Sequence, residues 1–169
     1  MALPDDGKRY EVLCGVLYMA PSPDKWHQKT AGGIFYHLYT AIQLTGLGEV
    51  YVAPFDVILS PKTTVQPDVL VVLKEHLDRA SKEGVFGAPD LVVEIASPST
   101  ARLDLSKKYG AYAAAGVPEY WVVTPDAHTV ELFVLKDGVY NSLGIYSGPA
   151  VLPTQIVPDW NVKVEQFFS

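Results

Sequence analysis

The chain has 169 residues, 49% of them hydrophobic, and a formal net charge of −6. This composition predicts one globular domain over residues 1–169 and argues against a disordered chain. The acidic balance by itself disfavours a nucleic-acid partner, although residues 1–108 hold eleven of the thirteen Lys and Arg residues.

Neither a membrane protein nor a secreted protein is indicated. No apolar run reaches the ~18 residues that a membrane span requires. The N-terminal residues MALPDDGKRYEV lack the basic and then apolar form of a secretory signal. Cys14 is the only cysteine, which excludes an internal disulfide and fits a reducing compartment. We therefore expect a cytoplasmic protein.

The first half of the chain predicts a hairpin, a helix and several strands. Residues 10–20 contain two short apolar segments around Gly15, a pattern typical of a hairpin. Residues 22–44 have helical apolar spacing, with Ser22 or Asp24 as the cap. The pair Gly32–Gly33 would let this helix pack closely on a neighbour. Strands are then predicted in VYVAP, FDVILS and VQPDVLVVL, with a turn at PKTT.

The second half predicts an alternation of strands and one helix. Residues 74–89 are charged and indicate a surface segment with one helical turn, and DLVVEIAS predicts a strand covered on both faces. A helix is predicted over residues 100–116, capped by Ser99 or Thr100 and ended by Gly116. The strand PEYWVVT follows, which favours a parallel crossover. Antiparallel strands and a closing helical turn complete an α/β fold whose mixed sheet is flanked by helices.

Two of the apolar strands each carry one acid, Asp68 in QPDVLVV and Glu94 in DLVVEIASPST. A buried carboxylate is costly unless it is protonated, paired or bound to a metal. If the two strands are neighbours, the two acids can converge, and their oxygens with water and phosphate suit Mg²⁺. The alternatives are a strand-end cap for Asp68 and a buried Lys or Arg partner for Glu94.

The strings around these acids resemble a nuclease signature. The PD of QPDVLVV and the later E-I-A resemble the signature of the PD-(D/E)XK superfamily. Together with GAPDLVVEIASPST, D-x-x-x-K-x-x-x-Y and AGVPEYWVV, they resemble the restriction-endonuclease family that is abundant in cyanobacteria and was long filed as a domain of unknown function. The resemblance runs from about Tyr10 to Val134. It implies a restriction-endonuclease-like fold, a Mg²⁺ or Mn²⁺ cofactor and DNA as the partner. A homodimer is expected by analogy, because two sites suit two strands.

The resemblance also assigns roles to individual residues. Asp68 and Glu94 would be metal ligands, and the backbone carbonyl of Ile95 would be a further candidate ligand. The lysine of the signature would fall two residues after Glu94, but this chain has Ala96 there. The chain therefore departs from the pattern at one position, and a lysine would have to reach the site from elsewhere.

Lys108 is the predicted replacement. It matches the lysine of the D-x-x-x-K-x-x-x-Y spacing that begins at Asp104. On the predicted helix Lys108 lies at the flank of the apolar stripe, while Lys107 points nearly opposite and is predicted to be solvated. The alternative for Lys108 is a lysine whose stem merely covers apolar surface.

Further candidates are weaker. Glu11 in the first hairpin resembles an early acid that lies near the metal in this superfamily, and the alternative is a solvent-facing acid. His27, at the start of the first helix, could act as acid, base or phosphate donor, or could only form a hydrogen bond. Asp56 is a possible extra acid, and the resemblance gives Ser97 a supporting role. The four histidines lack the paired spacing of a zinc site.

These features predict a metal-dependent endonuclease that hydrolyses phosphodiester bonds in DNA. Asp68 and Glu94 would hold Mg²⁺ or Mn²⁺, and Lys108 would orient the attacking water or stabilise the charge on phosphorus. The DNA backbone would meet a local basic patch made of Lys25, Lys29, Arg102 and Lys108.

Two alternatives remain open. The first is a catalytically degenerate module that binds nucleic acid or protein without cutting, which Ala96 and the pI of 5.1 favour. The second is a toxin- or transposon-associated module that acts through a protein partner. This second alternative requires an exposed apolar patch in the C-terminal third of the chain.

Overall fold

The structure, a computed structural model, describes residues 9–20, 22–96 and 103–169. Its helices are α1 (Lys25–Leu38), which continues as a π-helical turn over Tyr39–Gln43, α2 (Leu103–Ala115), and 3-10 helices over Lys74–Arg79 and Val164–Phe168. Its strands are β1 (Arg9–Leu13), β2 (Val16–Ala20), β3 (Gly48–Val52), β4 (Val57–Ser60), β5 (Thr63–Val65), β6 (Val69–Leu73), β7 (Ala80–Ser81), β8 (Gly84–Phe86), β9 (Leu91–Ile95), β10 (Glu119–Thr124), β11 (Thr129–Lys136) and β12 (Val139–Ser147).

The predicted hairpin and the predicted cap of the first helix are confirmed. Strands β1 and β2 pair antiparallel around Cys14 and Gly15, whose φ angles of 52° and 81° are those of a tight two-residue hairpin turn. Asp24, and not Ser22, caps α1, because its Oδ1 accepts a hydrogen bond of 2.8 Å from the backbone N–H of His27. The cap fixes the position at which α1 begins.

Helix α1 is held against the rest of the protein by its apolar stripe and by one glycine. Ile34 and Leu38 are fully buried. A Cβ atom at Gly33 would lie 2.5 Å from the carbonyl oxygen of Phe167, whereas one at Gly32 would have no neighbour within 4 Å. The predicted close packing is therefore confirmed at Gly33, where the helix presses on the C-terminal 3-10 helix.

The strands form two mixed sheets where the sequence predicted one. The first has the order β2-β1-β5-β4-β8-β7 and the second the order β12-β11-β10-β9-β6-β3. The parallel pairs are β4 with β8 and β9 with β10. Helix α2 connects β9 to β10, so the predicted parallel crossover is confirmed, as is the mixed α/β class.

The second sheet lies in the middle of the molecule and is covered on both faces. On one face a cluster that includes Ile34, Trp121 and Phe167 joins the sheet to α1 and to the C-terminal 3-10 helix. On the other face a second cluster joins it to α2, through Tyr112, and to the first sheet, through Val57. All five residues of β9 are buried, which confirms the prediction of a strand covered on both faces.

Two segments differ from their predictions. Residues 74–89 contain, besides the helical turn, the strands β7 and β8, and β8 extends the first sheet by pairing with β4. Residues 155–168, for which antiparallel pairing and a closing helical turn are predicted, form the helical turn but no extended strand: the pairing is one isolated bridge, between Val151 and Lys163. Pro153 and Pro158 lie between these residues and have no backbone N–H to donate to a ladder.

Some predictions concern residues that are not described. The caps Ser99 and Thr100, the supporting Ser97 and the patch residue Arg102 all lie outside the described ranges. Within those ranges, no helix combines the length and the apolar character needed to cross a membrane.

Candidate active site

Asp68 and Glu94 face each other across neighbouring strands. In the antiparallel pair of β6 and β9, Val69 lies opposite Val93. The next position along the ladder therefore sets Asp68 opposite Glu94, on the same face of the sheet. Both residues are only 6% exposed. The structure thus brings together the two acids that the sequence singled out, while their role as metal ligands stays a prediction.

Glu94 is held by two side chains of α2. Lys108 Nζ lies 3.0 Å from Glu94 Oε1 and 3.1 Å from Oε2, and the Tyr112 hydroxyl donates to Oε1 at 2.6 Å. Burial raises the pKa of the Glu94 carboxyl to about 7, the Lys108 ammonium opposes that rise, and the carboxylates of Asp68 and Glu11 add to it. The carboxylate is therefore fixed in place, and a further cation nearby would favour its ionised form.

Lys108 joins Glu94 to a third acid, Glu11 of β1. Lys108 Nζ lies 2.8 Å from Glu11 Oε1, and the same oxygen accepts a hydrogen bond of 2.7 Å from the backbone N–H of Gln66. Burial works to lower the pKa of Lys108, but the carboxylates of Glu94 and Glu11 raise it above its ordinary value. The lysine therefore stays charged at neutral pH. Glu11 is buried, so the solvent-facing alternative does not hold for it.

Asp68 is held from the other side by α1 and by the backbone of β9. The backbone N–H of Ile95 donates to Asp68 Oδ2 at 2.8 Å, and His27 Nε2 lies 3.2 Å from the same oxygen. His27 reaches this position because Asp24 caps α1 through the backbone N–H of His27. The start of α1 therefore positions a histidine against the acid.

The buried charges of the site are unbalanced. The ammonium of Lys108 contacts two of the three buried carboxylates, those of Glu11 and Glu94, while Asp68 contacts His27, and burying more negative than positive charge is costly. A divalent cation would relieve the excess, so the residues present fit one. In the described part of the chain no three His, Cys, Asp or Glu side chains converge into a complete metal cage. A cation would thus take carboxylate oxygens and complete its shell from water or phosphate, as Mg²⁺ usually does.

The structure brings together the five candidate site residues that the sequence singled out, which are Glu11, His27, Asp68, Glu94 and Lys108. Three other residues near the site have different contacts. Asp56 accepts a hydrogen bond of 2.8 Å from Gln66 Nε2 and so supports the loop before Asp68. Lys107 is exposed as predicted, but its Nζ also donates to the Tyr18 hydroxyl at 2.9 Å. The sequence reasoning missed the contact of Tyr112, although Tyr112 is the tyrosine of the D-x-x-x-K-x-x-x-Y spacing, one helical turn after Lys108.

Comparison with known proteins defines first the fold and then the family. The structure matches the crystal structure of a "putative nuclease belonging to DUF820" from Anabaena variabilis ATCC 29413 with a TM-score of 0.82 and 17% sequence identity. The match covers 98% of this chain and 93% of that chain, so the two share a fold. A family model, Uma2, described as "Putative restriction endonuclease", matches residues 1–165, and the chain belongs to this family. No curated protein matches it. The family resemblance seen in the sequence is confirmed.

Proposed function

We propose that this protein is a metal-dependent endonuclease that hydrolyses phosphodiester bonds in DNA. The observation that carries the proposal is the buried cluster in which Lys108 Nζ lies within 3.1 Å of both Glu94 oxygens while Asp68 faces Glu94 from the next strand. Two carboxylates can hold a divalent cation and a charged lysine can stabilise a developing negative charge, and both suit phosphodiester hydrolysis. The family description supports the same chemistry.

Asp68 and Glu94 would hold Mg²⁺ or Mn²⁺. A cation bound there would lower the pKa of a water molecule and offset the charge of the scissile phosphate. The carboxylates of Glu94 and Glu11 raise the pKa of Lys108, which favours its charged form, so we assign it no role as a general base. Lys108 instead supplies a fixed positive charge, which orients the attacking water or stabilises the charge that builds on phosphorus.

The remaining residues of the cluster are positioning residues. Glu11 holds the Lys108 ammonium from the side away from α2, and Tyr112 fixes one oxygen of Glu94. His27 lies against Asp68, where its imidazole orients the carboxylate. A homodimer and a cytoplasmic location remain predictions.

A second candidate function rests on the same ammonium. Lys108 already contacts both Glu11 and Glu94, and Ala96 stands where the signature has its lysine, so the cluster could be stable without a metal. In that case the protein would be a degenerate module that binds a nucleic acid or a protein without cutting. Apolar side chains are exposed on the outer strand β12, at Val139 and Ile145, as an interaction through a protein partner requires.

The experiment that tests the proposal pairs two neighbouring lysines of α2. Mg²⁺ and Mn²⁺ binding is measured by calorimetry, and nicking of a supercoiled plasmid is measured on the same samples. Lys108→Gln should lose nicking by about 100-fold or more, in line with the loss of one preorganised charge, yet keep metal binding. Asp68→Asn should lose both. The matched control Lys107→Gln changes an exposed lysine one residue away and should alter neither measurement.

Each result separates the two candidate functions. Wild-type protein that binds neither Mg²⁺ nor Mn²⁺ contradicts the endonuclease and favours the degenerate module. Nicking that survives in both Lys108→Gln and Asp68→Asn would show that it comes from a contaminant or another site. Circular dichroism of each variant establishes that it is folded before its activity is compared.

A further inference from the structure

Outside the carboxylate cluster, the start of α1 exposes an unusual aromatic group. Trp26 is 55% exposed, although tryptophan is among the residues that gain most from burial. The ammonium groups of Lys25 and Lys29 lie 5.0 Å and 5.9 Å from the centre of its ring. Neither ammonium is paired with a carboxylate among the residues that the structure describes. An exposed indole is thus accompanied by two ammonium groups that lie over its ring and make no ion pair with a described carboxylate.

This aromatic group lies beside the candidate active site. Trp26 precedes His27, whose Nε2 is 3.2 Å from Asp68. A cleft of about 230 Å³ opens next to the ring, and it is lined by Trp26, Lys29, Thr30, Pro125, Asp126, His128 and Phe168. The far wall of the cleft, on the side opposite Trp26, includes Pro125, Asp126 and His128, which come directly after β10 in the chain. At this end of β10 the carbonyl of Val123 accepts a hydrogen bond from the backbone N–H of Ala96. The cleft and the carboxylates therefore share the end of the sheet at which β9 and β10 finish.

The chemistry of the cleft fits a flat base better than a phosphate. His128 and Phe168 stack on the far wall with ring centres 4.7 Å apart and planes 9° apart, so both walls carry aromatic surface. In the lining the carboxylate of Asp126 offsets the charge of Lys29, so the interior of the cleft has no surplus positive charge for a phosphate, while Lys25 adds a positive charge outside the lining. The volume is smaller than the ~300–1,000 Å³ of pockets for drug-sized ligands and suits a single base.

We propose that Trp26, with Lys25 and Lys29, binds an unpaired nucleotide of a single nucleic-acid strand, the base stacking on Trp26 at the mouth of the cleft. A base inside a duplex has both faces covered by its neighbours, so only an unpaired or extruded base can stack on a protein ring. This proposal rests on the proposed nuclease function and specifies its substrate. The strand that is cut would carry an unpaired nucleotide next to the scissile phosphate.

The test measures binding without cleavage, in EDTA at 50 mM salt. Fluorescein-labelled (dT)12, (rU)12 and a 12-base-pair duplex are titrated and followed by anisotropy. Trp26→Ala should weaken binding of the single strand by about 5- to 150-fold, which corresponds to the loss of one stacked base. Trp26→Phe, which keeps a ring, should recover most of the affinity. The relative affinity for (dT)12 and (rU)12 identifies the kind of strand.

Two controls isolate the ring and the charges. Tyr36→Ala removes another exposed aromatic residue of α1, 64% exposed, and should leave the affinity unchanged. Replacement of Lys25 and Lys29 by Gln should reduce the slope of log K against log salt by about 1.4, the expected change for two phosphate contacts to a single strand. Trp121 is fully buried and Trp160 is half-buried, so the quenching of fluorescence by unlabelled (dT)12 that is present in the wild type and absent in Trp26→Phe reports on Trp26.

Several outcomes overturn the inference. Trp26→Ala that binds the single strand as wild type does would show that the ring makes no contact. If Trp26→Ala lost affinity for the duplex as much as for the single strand, no unpaired base would be involved. If the wild type did not bind the single strand at all, the proposal would be wrong. Since no metal is present, a protein that fails to nick plasmid can still show Trp26-dependent binding, so failure of the nuclease proposal and failure of this one are distinguishable.

Discussion

Replacement of Glu94 by Gln should make the stability of the protein less dependent on pH. Burial raises the pKa of the Glu94 carboxyl from 4.5 to about 7. Because the folded state then keeps this proton to a higher pH than the unfolded chain, the contribution of Glu94 is most favourable below about pH 4.5 and is lost as the pH rises to about 7. The amide of the Glu94→Gln variant cannot ionise, so the variant should lack this loss.

The size of the effect follows from the shift. A rise of the pKa from 4.5 to about 7 corresponds to roughly 3 kcal/mol, at about 1.4 kcal/mol per unit. The amide cannot accept both hydrogen bonds from Lys108, and losing one net hydrogen bond costs about 1 kcal/mol at any pH. In EDTA the variant should therefore be more stable than wild type by about 2 kcal/mol at pH 8 and slightly less stable at pH 5.

Urea unfolding at several pH values between 5 and 8, with EDTA throughout, measures this difference. The control Glu75→Gln replaces an exposed acid of the Lys74–Arg79 helix and should give a difference from wild type that is flat over the same range. A flat difference for Glu94→Gln as well would refute the reasoning, because it would mean that Glu94 ionises in the folded protein as it does in the unfolded chain.

Two further changes test the placement of α1. Gly33→Ala should destabilise the fold by about 1–3 kcal/mol, because the new Cβ would lie 2.5 Å from the Phe167 carbonyl oxygen. Gly32→Ala, which has no such neighbour, should be neutral or stabilising by about 0.5–1 kcal/mol. Equal urea midpoints for the two variants would contradict the close contact at Gly33. Asp24→Ala should lower the free energy of unfolding by about 1 kcal/mol, because it removes the hydrogen bond to the backbone N–H of His27, and plasmid nicking should also fall. Asp24→Ser, which can still cap the helix, should retain both stability and nicking. Unchanged nicking in Asp24→Ala would show that the cap does not position His27.

The convergence of the acids could be predicted because strand geometry is regular. Alternation of side chains sets Asp68 and Glu94 on defined faces, and two apolar strands within one small domain are readily neighbours. Lys108 could be placed by the same kind of reasoning on a helix. Glu11 is different: the sequence singled it out only through the resemblance and left a solvent-facing acid as the alternative, and its burial on the same face of β1 as Leu13 is a finding of the structure.

The rest depended on contacts between distant segments that have no periodic signal. Residues 80–86 are short, mixed in character and interrupted by Gly84, so their pairing with β4 could not be predicted from their sequence. Tyr112 belongs to the D-x-x-x-K-x-x-x-Y spacing, but its hydroxyl reaches Glu94 only because of how the helix packs on the sheet. Pairing partners of this kind are set by tertiary packing rather than by local propensity.

The origin of the charges in the site has a consequence for the cell that makes this protein. Glu11 comes from β1, Asp68 from the segment before β6, Glu94 from β9 and Lys108 from α2, so the cluster draws on the chain from near its start to well past its middle. A ribosome-bound chain that has not yet released α2 has acids without their lysine. The nuclease activity that we propose would therefore arise only after α2 has been released and has packed on the sheet, and shorter nascent chains would leave DNA uncut.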